Sequence, residues 1–116
     1  MKHHCIDYVE FPAAHIDKTQ RFFEQTFGWQ FTAYGPEYVA FHHAGLTGGF
    51  YLSELTSQSS SGGALIVMYS ERLEETMRSV EHFGGVITKP IFSFPGGRRF
   101  QFQEPSGNEL AVWSDR

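Results

Sequence analysis

Cysteine is almost missing from this sequence: of 116 residues only Cys5 carries a thiol, which excludes an intrachain disulfide and any multi-cysteine metal cluster. A buried, inert thiol is the expectation for it. Long apolar runs are missing as well. Nothing approaches the roughly 18 consecutive apolar residues of a membrane span, and Met1-Lys2-His3-His4-Cys5 leads into a strand pattern without an apolar leader. A soluble, cytoplasmic protein with no membrane partner is expected. Positive charge is short too. Nine Lys and Arg against 13 Asp and Glu give a formal net charge of −4 with the signs intermingled, so no basic face is offered to a phosphate backbone and nucleic acid is not an expected partner.

What the chain has is aromatic mass. Twelve Phe and an aromatic share of 16% need an interior, and 116 residues are about one domain's worth, enough to bury roughly two thirds of the unfolded surface. Cys5 to Phe11 alternates as a first strand, with Pro12 expected to end its pairing. From Ile16 to Phe27, the positions Ile16, Thr19, Phe23 and Phe27 collect on one helical face, and Gly28 is the natural stop. Three short β-favouring runs follow: Trp29 to Tyr34, Glu37 to His42 and Gly48 to Leu52. Residues 56–63, small and polar, read as a flexible linker between module one, 1–55, and module two, 64–116.

After the linker the pattern restarts. Ala64 to Tyr69 reads as a strand, then Leu73, Thr76 or Met77, Val80 and Phe83 form a helical stripe with Ser70 available as its cap and Gly84-Gly85 as its stop. Val86 to Lys89, Arg98 to Gln103 and Glu109 to Trp113 complete the set, with Lys89-Pro90 read as turn chemistry. A shift of 57 residues lays Ile16 on Leu73, Thr19 on Thr76, Arg21 on Arg78, Glu24 on Glu81 and Gly28 on Gly85. The order β-α-β-β-β therefore occurs twice, the mark of a duplicated unit whose copies pair.

That order and the phrases punctuating it resemble the vicinal oxygen chelate superfamily of glyoxalases, bleomycin-resistance proteins and dioxygenases. Val9-Glu10-Phe11-Pro12 and the helix end Phe22-Phe23-Glu24-Gln25-Thr26-Phe27-Gly28-Trp29 are similar to the family's opening strand and its "FYxxxFGW" phrase. Glu81-His82-Phe83-Gly84-Gly85 is similar to its second helix end, and Glu104-Pro105-Ser106-Gly107-Asn108 to the "DPxGN" turn before its last strand. The resemblance implies one α+β domain over 1–116: two tandem βαβββ modules forming a curled eight-stranded mixed sheet, helices on the outer face, around a ligand cup.

Strand alternation then sorts the side chains. With Val9, Phe11, Val39, Phe41, Phe100, Phe102, Leu110 and Val112 packed on helices, the cup receives Tyr8, Glu10, Tyr38, His42, Arg99, Gln101, Gln103, Glu109, Ala111 and Trp113. Glu10 is a candidate catalytic base, or else an ion-pair partner of Arg98 or Arg99. Tyr8, Tyr38, Tyr51 and Trp113 are candidates for an aromatic wall. Arg98 or Arg99 offers a fork for an anion, unless their segment is an ordinary hairpin turn. His15 and His82 read as surface residues.

Metal-dependent relatives hold a divalent ion with a His in the opening strand and a Glu in the last. Here the resemblance lays those positions on Tyr8 and Ala111, with about Leu65 at the equivalent place in module two. Leu and Ala cannot ligate, so no metal or other cofactor is expected, although His4, His42, His43 and Glu109 leave a relocated site open. Two functions of different class follow. One is a metal-free protein that binds a small organic molecule in its cup. The other is an enzyme, a lyase, isomerase or dioxygenase-like protein acting on a small carbonyl compound. A third, an accessory protein, has only the surplus of Phe behind it. A homodimer is expected in each case.

Overall fold

The computed structural model describes all 116 residues. Its order is β1 (Tyr8–Ala13), α1 (Ile16–Phe27), β2 (Gln30–Ala33), β3 (Tyr38–His42), β4 (Thr47–Leu52), β5 (Ile66–Tyr69), α2 (Leu73–His82), β6 (Val86–Phe94), β7 (Gly97–Gln103) and β8 (Glu109–Ser114). The repeated α+β pattern is thus the fold. The strands form two four-stranded mixed sheets, β1-β4-β3-β2 and β5-β8-β7-β6, and no ladder joins one to the other.

In each sheet the first strand runs parallel to the last of its module, and antiparallel pairs make up the rest. Pro12 does not end β1. It stays in register with Tyr51, because β1 is an edge strand and a proline there forfeits only an N–H that has no partner. The start of β1 moves the other way: Cys5 and Ile6 precede it, and Cys5 is exposed, not buried.

The helices cover one face of each sheet, and α1 touches both. Phe23 stacks on Trp29 at 4.4 Å and on Phe50 of β4 at 5.5 Å. Phe22 and Phe27 meet Phe102 of β7 at 5.8 and 6.0 Å. One continuous core of 15 buried residues results, drawn from both modules. Gly28, in the left-handed region at φ 72, turns the chain out of α1 as its repeat position requires. In α2 that conformation belongs to Gly84 (φ 104), whereas Gly85 is there for space, since a Cβ would lie 2.6 Å from a Val80 methyl. Ser70 does not cap α2. Arg72 occupies that position without a side-chain bond, and the Ser70 hydroxyl is paired with Thr76.

Polar contacts also stitch the modules together. Asn108, fully buried, donates Nδ2 to the Pro12 carbonyl (2.6 Å) and accepts from the Ser57 N–H (2.9 Å). Thr19 Oγ1 donates to Glu104 at 2.9 Å, and the His15 N–H donates to Ser106 Oγ at 3.1 Å. The linker read as flexible is fastened by these and by further bonds from Ser57 and Ser59, with a single 3-10 turn at Ser59–Ser61.

Candidate functional site

On the first sheet the face turned from α1 carries Tyr8, Glu10 and Tyr38 in one hydrogen-bonded line. Tyr38 Oη donates to Glu10 Oε2 at 2.8 Å and lies 2.5 Å from Tyr8 Oη. Tyr38 has one proton and gives it to the carboxylate, so Tyr8 is the donor of the second bond. Partial burial and then the bonds to Tyr8 and Glu10 push the Tyr38 phenol well above the usual range. It stays neutral. The line is therefore a carboxylate with two phenols in series, open at Tyr8, which is 43% exposed.

Gly49 makes room for it. A Cβ at that position would lie 2.1 Å from Tyr38 Oη, whereas at Gly48 it would lie 2.2 Å from the Val9 carbonyl oxygen. The two glycines should answer differently to alanine. Gly49→Ala displaces a side-chain tip and should disperse the tyrosine line while costing under about 1 kcal/mol; Gly48→Ala collides with backbone and should cost about 2 kcal/mol or more. Urea melts of both variants check this, and equal losses would contradict it.

Glu10 pairs with neither arginine. Arg98 instead donates to Glu74 and to the Arg116 carbonyl, and this bond to Arg98 holds the Glu74 carboxyl down at about 2. His42, half-buried, lies 3.4 Å from Thr32 Oγ1. Tyr51 is exposed on the same sheet and, with Glu10, Pro12 and the linker residues Ser57, Gln58 and Ser61, borders a cavity of about 450 Å³.

The corresponding face of the second sheet divides in two. At one end Glu109 is buried, accepting from Ser59 N–H (3.0 Å), Ser59 Oγ, Thr88 Oγ1 (3.0 Å) and Gln101 Nε2 (3.2 Å). Burial alone would raise its carboxyl, but these donors outweigh it and hold the group below the ordinary range. Gln101 and Ala111 are buried beside it, so none of the three lines an open surface. Gln103, opposite Glu109, is half-buried. At the other end Arg99 and Trp113 are paired across the strands and remain half-open, beside Phe92 and Phe94 of β6 and Tyr69 of β5. These three aromatics were not among the expected site residues. The first two lie beyond Lys89-Pro90, where β6 runs on through register shifts instead of turning.

The largest cavity, about 500 Å³, lies elsewhere. It opens between Val9, Phe11, Trp29 and Phe41 on the helix side of the first sheet and Ile66 and Met68 of β5; of these, Val9, Phe11 and Phe41 are read from the sequence simply as packed. Its walls are almost wholly apolar. Convergent polar groups, which give a ligand orientation, sit on the outward faces instead.

The residues present do not fit the divalent ion of metal-dependent relatives. Tyr8 is engaged with Tyr38, Leu65 precedes β5, and Ala111 has no donor. The alternative set is scattered: His4 stacks on His3, His43 lines the apolar cavity, and Glu109 lies under Ser59. No three His, Cys, Asp or Glu side chains converge anywhere.

Residues 5–112 match the profile of the Glyoxalase/Bleomycin resistance protein/Dioxygenase superfamily. Among curated proteins none matches the sequence. Solved structures with the same fold include a glyoxalase-related enzyme from Fulvimarina pelagi (TM-score 0.80, 14% identity, covering 97% of this chain and 88% of that one). The genomically encoded fosfomycin resistance protein FosX from Listeria monocytogenes is similar at TM-score 0.79 and 16% identity, covering 97% and 94% of the two chains. Lactoylglutathione lyase from Agrobacterium tumefaciens gives TM-score 0.72 at 16% identity, over 98% and 96%. At such identities the likeness is one of fold.

Proposed function

The chain belongs to the Glyoxalase/Bleomycin resistance protein/Dioxygenase superfamily, and from that premise we propose that it binds a small organic molecule on its outward sheet faces without the family's usual metal. The observation that carries this reading is the Tyr8–Tyr38–Glu10 line. Where a metal ligand belongs, the chain has a phenol already hydrogen-bonded to its neighbours, and the opposite position is Ala111. Such a surface recognises a ligand by hydrogen bonds and ring contacts, with Tyr51 and Trp113 as further aromatic area.

A homodimer in the cytoplasm goes with this proposal. The polar faces of the two sheets border no common cavity among the main ones, Glu10 lying in one and Arg99 and Trp113 in none. A second copy facing the first would close them into cups. Light scattering should give twice the chain mass, and a monomer at micromolar concentration removes that part.

The direct test is plasma mass spectrometry on untagged protein, followed by a thermal-shift screen of small aromatic and carbonyl compounds with and without chelator. Less than stoichiometric metal and chelator-independent stabilisation by a ligand are expected. A stoichiometric divalent ion overturns the metal-free reading.

The carboxylate line also favours a second reading, proton abstraction from a small carbonyl compound by Glu10. Deuterium uptake from heavy water by hydroxyacetone, lost in Glu10→Gln, is its expected sign. Equal uptake in that folded variant removes Glu10 from the chemistry.

A further inference from the structure

We propose that the Arg99 end of the second sheet binds an organic monoanion, a carboxylate carried on a flat ring; this rests on the small-molecule reading above and names its ligand class. The strand register sets Phe92, Arg99, Trp113 and Tyr69 side by side across β6, β7, β8 and β5. Neighbouring strands are about 4.8 Å apart, so the row presents a cation between aromatic rings over a span that suits a bicyclic acid.

Arg99 is the uncommitted cation of this row; Lys89, also unpaired, stands exposed one row away opposite Gln101. Arg99 is in no ion pair and donates no side-chain hydrogen bond, and its Nε is buried without an acceptor. Nε is out of a ligand's reach, and the fork left open is the terminal Nη pair, which is neither buried nor bonded. The guanidinium is held in place by two rings, its carbon 5.2 Å from the centre of Phe92 and 5.9 Å from that of Phe94. These rings hold and partly desolvate the charge without neutralising it. Its chain neighbour Arg98 is committed to Glu74.

One uncommitted fork matches the two oxygens and single charge of a carboxylate, whereas a phosphate dianion would require a second cation that the row does not contain. Beside the fork stand faces for a ring. Trp113 is half-exposed and meets Tyr69 edge-on at 5.2 Å and Phe94 at 6.3 Å. The Tyr69 hydroxyl is taken by Asp115, which leaves its ring to the ligand.

The test is isothermal titration of the untagged full chain with 2-naphthoate, its neutral analogue 2-naphthamide, and inorganic phosphate. Naphthoate should bind about tenfold or more tightly than the amide, the worth of a charge-assisted pair of hydrogen bonds, and phosphate should bind more weakly than naphthoate. Arg99→Gln should erase the difference between acid and amide. Trp113→Leu should weaken both and leave the difference in place. Circular dichroism establishes that each variant is folded, and should Arg99→Gln fail to fold, Arg99→Lys, which keeps the charge and loses the fork, should narrow the difference. Equal binding of acid and amide, or an unchanged preference in the folded Arg99 variant, overturns the anion site and leaves the small-molecule reading standing. No binding of either compound also overturns it, and the broader ligand screen then decides the parent reading on its own.

Discussion

Phe23→Ala should remove about 3–5 kcal/mol of folding free energy, the range measured when a buried phenylalanine is cut back to a methyl. Phe23 is fully buried, 4.4 Å from Trp29, 5.1 Å from Phe22 and 5.5 Å from Phe50. Trp29 and Phe50 stack on it and Phe22 meets it edge-on, and each of these rings is also held by another, Phe41 or Phe102, so none can swing into the void without abandoning a contact. Against a total stability of about 5–15 kcal/mol, the loss should bring the urea midpoint close to zero or leave the chain partly unfolded in buffer. Phe27→Ala provides the contrast. Phe27 is only partly buried and already borders the 500 Å³ cavity, so its removal enlarges an existing space and should cost clearly less. A Phe23 variant within about 1 kcal/mol of the parent would mean that the aromatic core repacks freely.

Stability should also fall as pH rises from about 4.5 to 7, opposite to the usual behaviour of a carboxylate-rich protein. The cause is Glu104. Burial between α1 and the turn before β8 raises its carboxyl to about 7, against which the bonds from Thr19 and the Ser106 N–H act only partly. Over that interval the folded chain holds a proton that the unfolded chain has released. Stability therefore declines through it by up to about 3 kcal/mol and levels off above it. Glu109 acts in the other sense, its depressed carboxyl contributing stability that is lost only as pH falls below the ordinary carboxylate range. A maximum near pH 5 is the joint result. Glu104→Gln removes the charge and keeps an acceptor for the Ser106 N–H, while its amide N–H turns the bond with Thr19 round, the Thr19 hydroxyl oxygen becoming the acceptor. Its melting temperature should be flat from pH 5 to 8 and exceed the parent's at pH 8; parallel profiles would mean that Glu104 is ionised throughout.

The features legible in the sequence are those set by local pattern. The spacing of Ile16, Thr19 and Phe23 with Gly28 behind them places α1 correctly, and alternation assigns Phe11, Phe41, Phe100, Phe102, Leu110 and Val112 to the packed side. The features that were not legible depend on neighbours in space. Cys5 and Ile6 alternate like strand residues but lie outside β1, whose pairing with β4 begins at Tyr8 and Thr47. Pro12 looked like a terminator because its edge position is a property of the sheet. Residues 56–63 have a linker's composition, yet their backbone finds Asn108 and Glu109 waiting, and this closes Gln101 and Glu109 away from the face that alternation gave them. Phe92 and Phe94 were hidden behind Pro90 for the same reason. Their role beside Arg99 emerges only from the β6–β7 register.

The bond from Thr19 to Glu104 has an evolutionary consequence. In the second half, Thr76 holds the position of Thr19, yet it pairs with Ser70 of its own half. Likewise α1 reaches across to Phe102, and the burial of Phe22 depends on it. A newly duplicated pair would have treated its two halves alike. Here one half has become the inserter and the other the receiver, so neither could now replace the other. Two copies of residues 1–55 would bring two Thr19 hydroxyls and no Glu104, and two copies of residues 64–116 would bury two Glu104 carboxyls with no Thr19 to meet them. Each half therefore depends on the other for a partner that it does not itself supply.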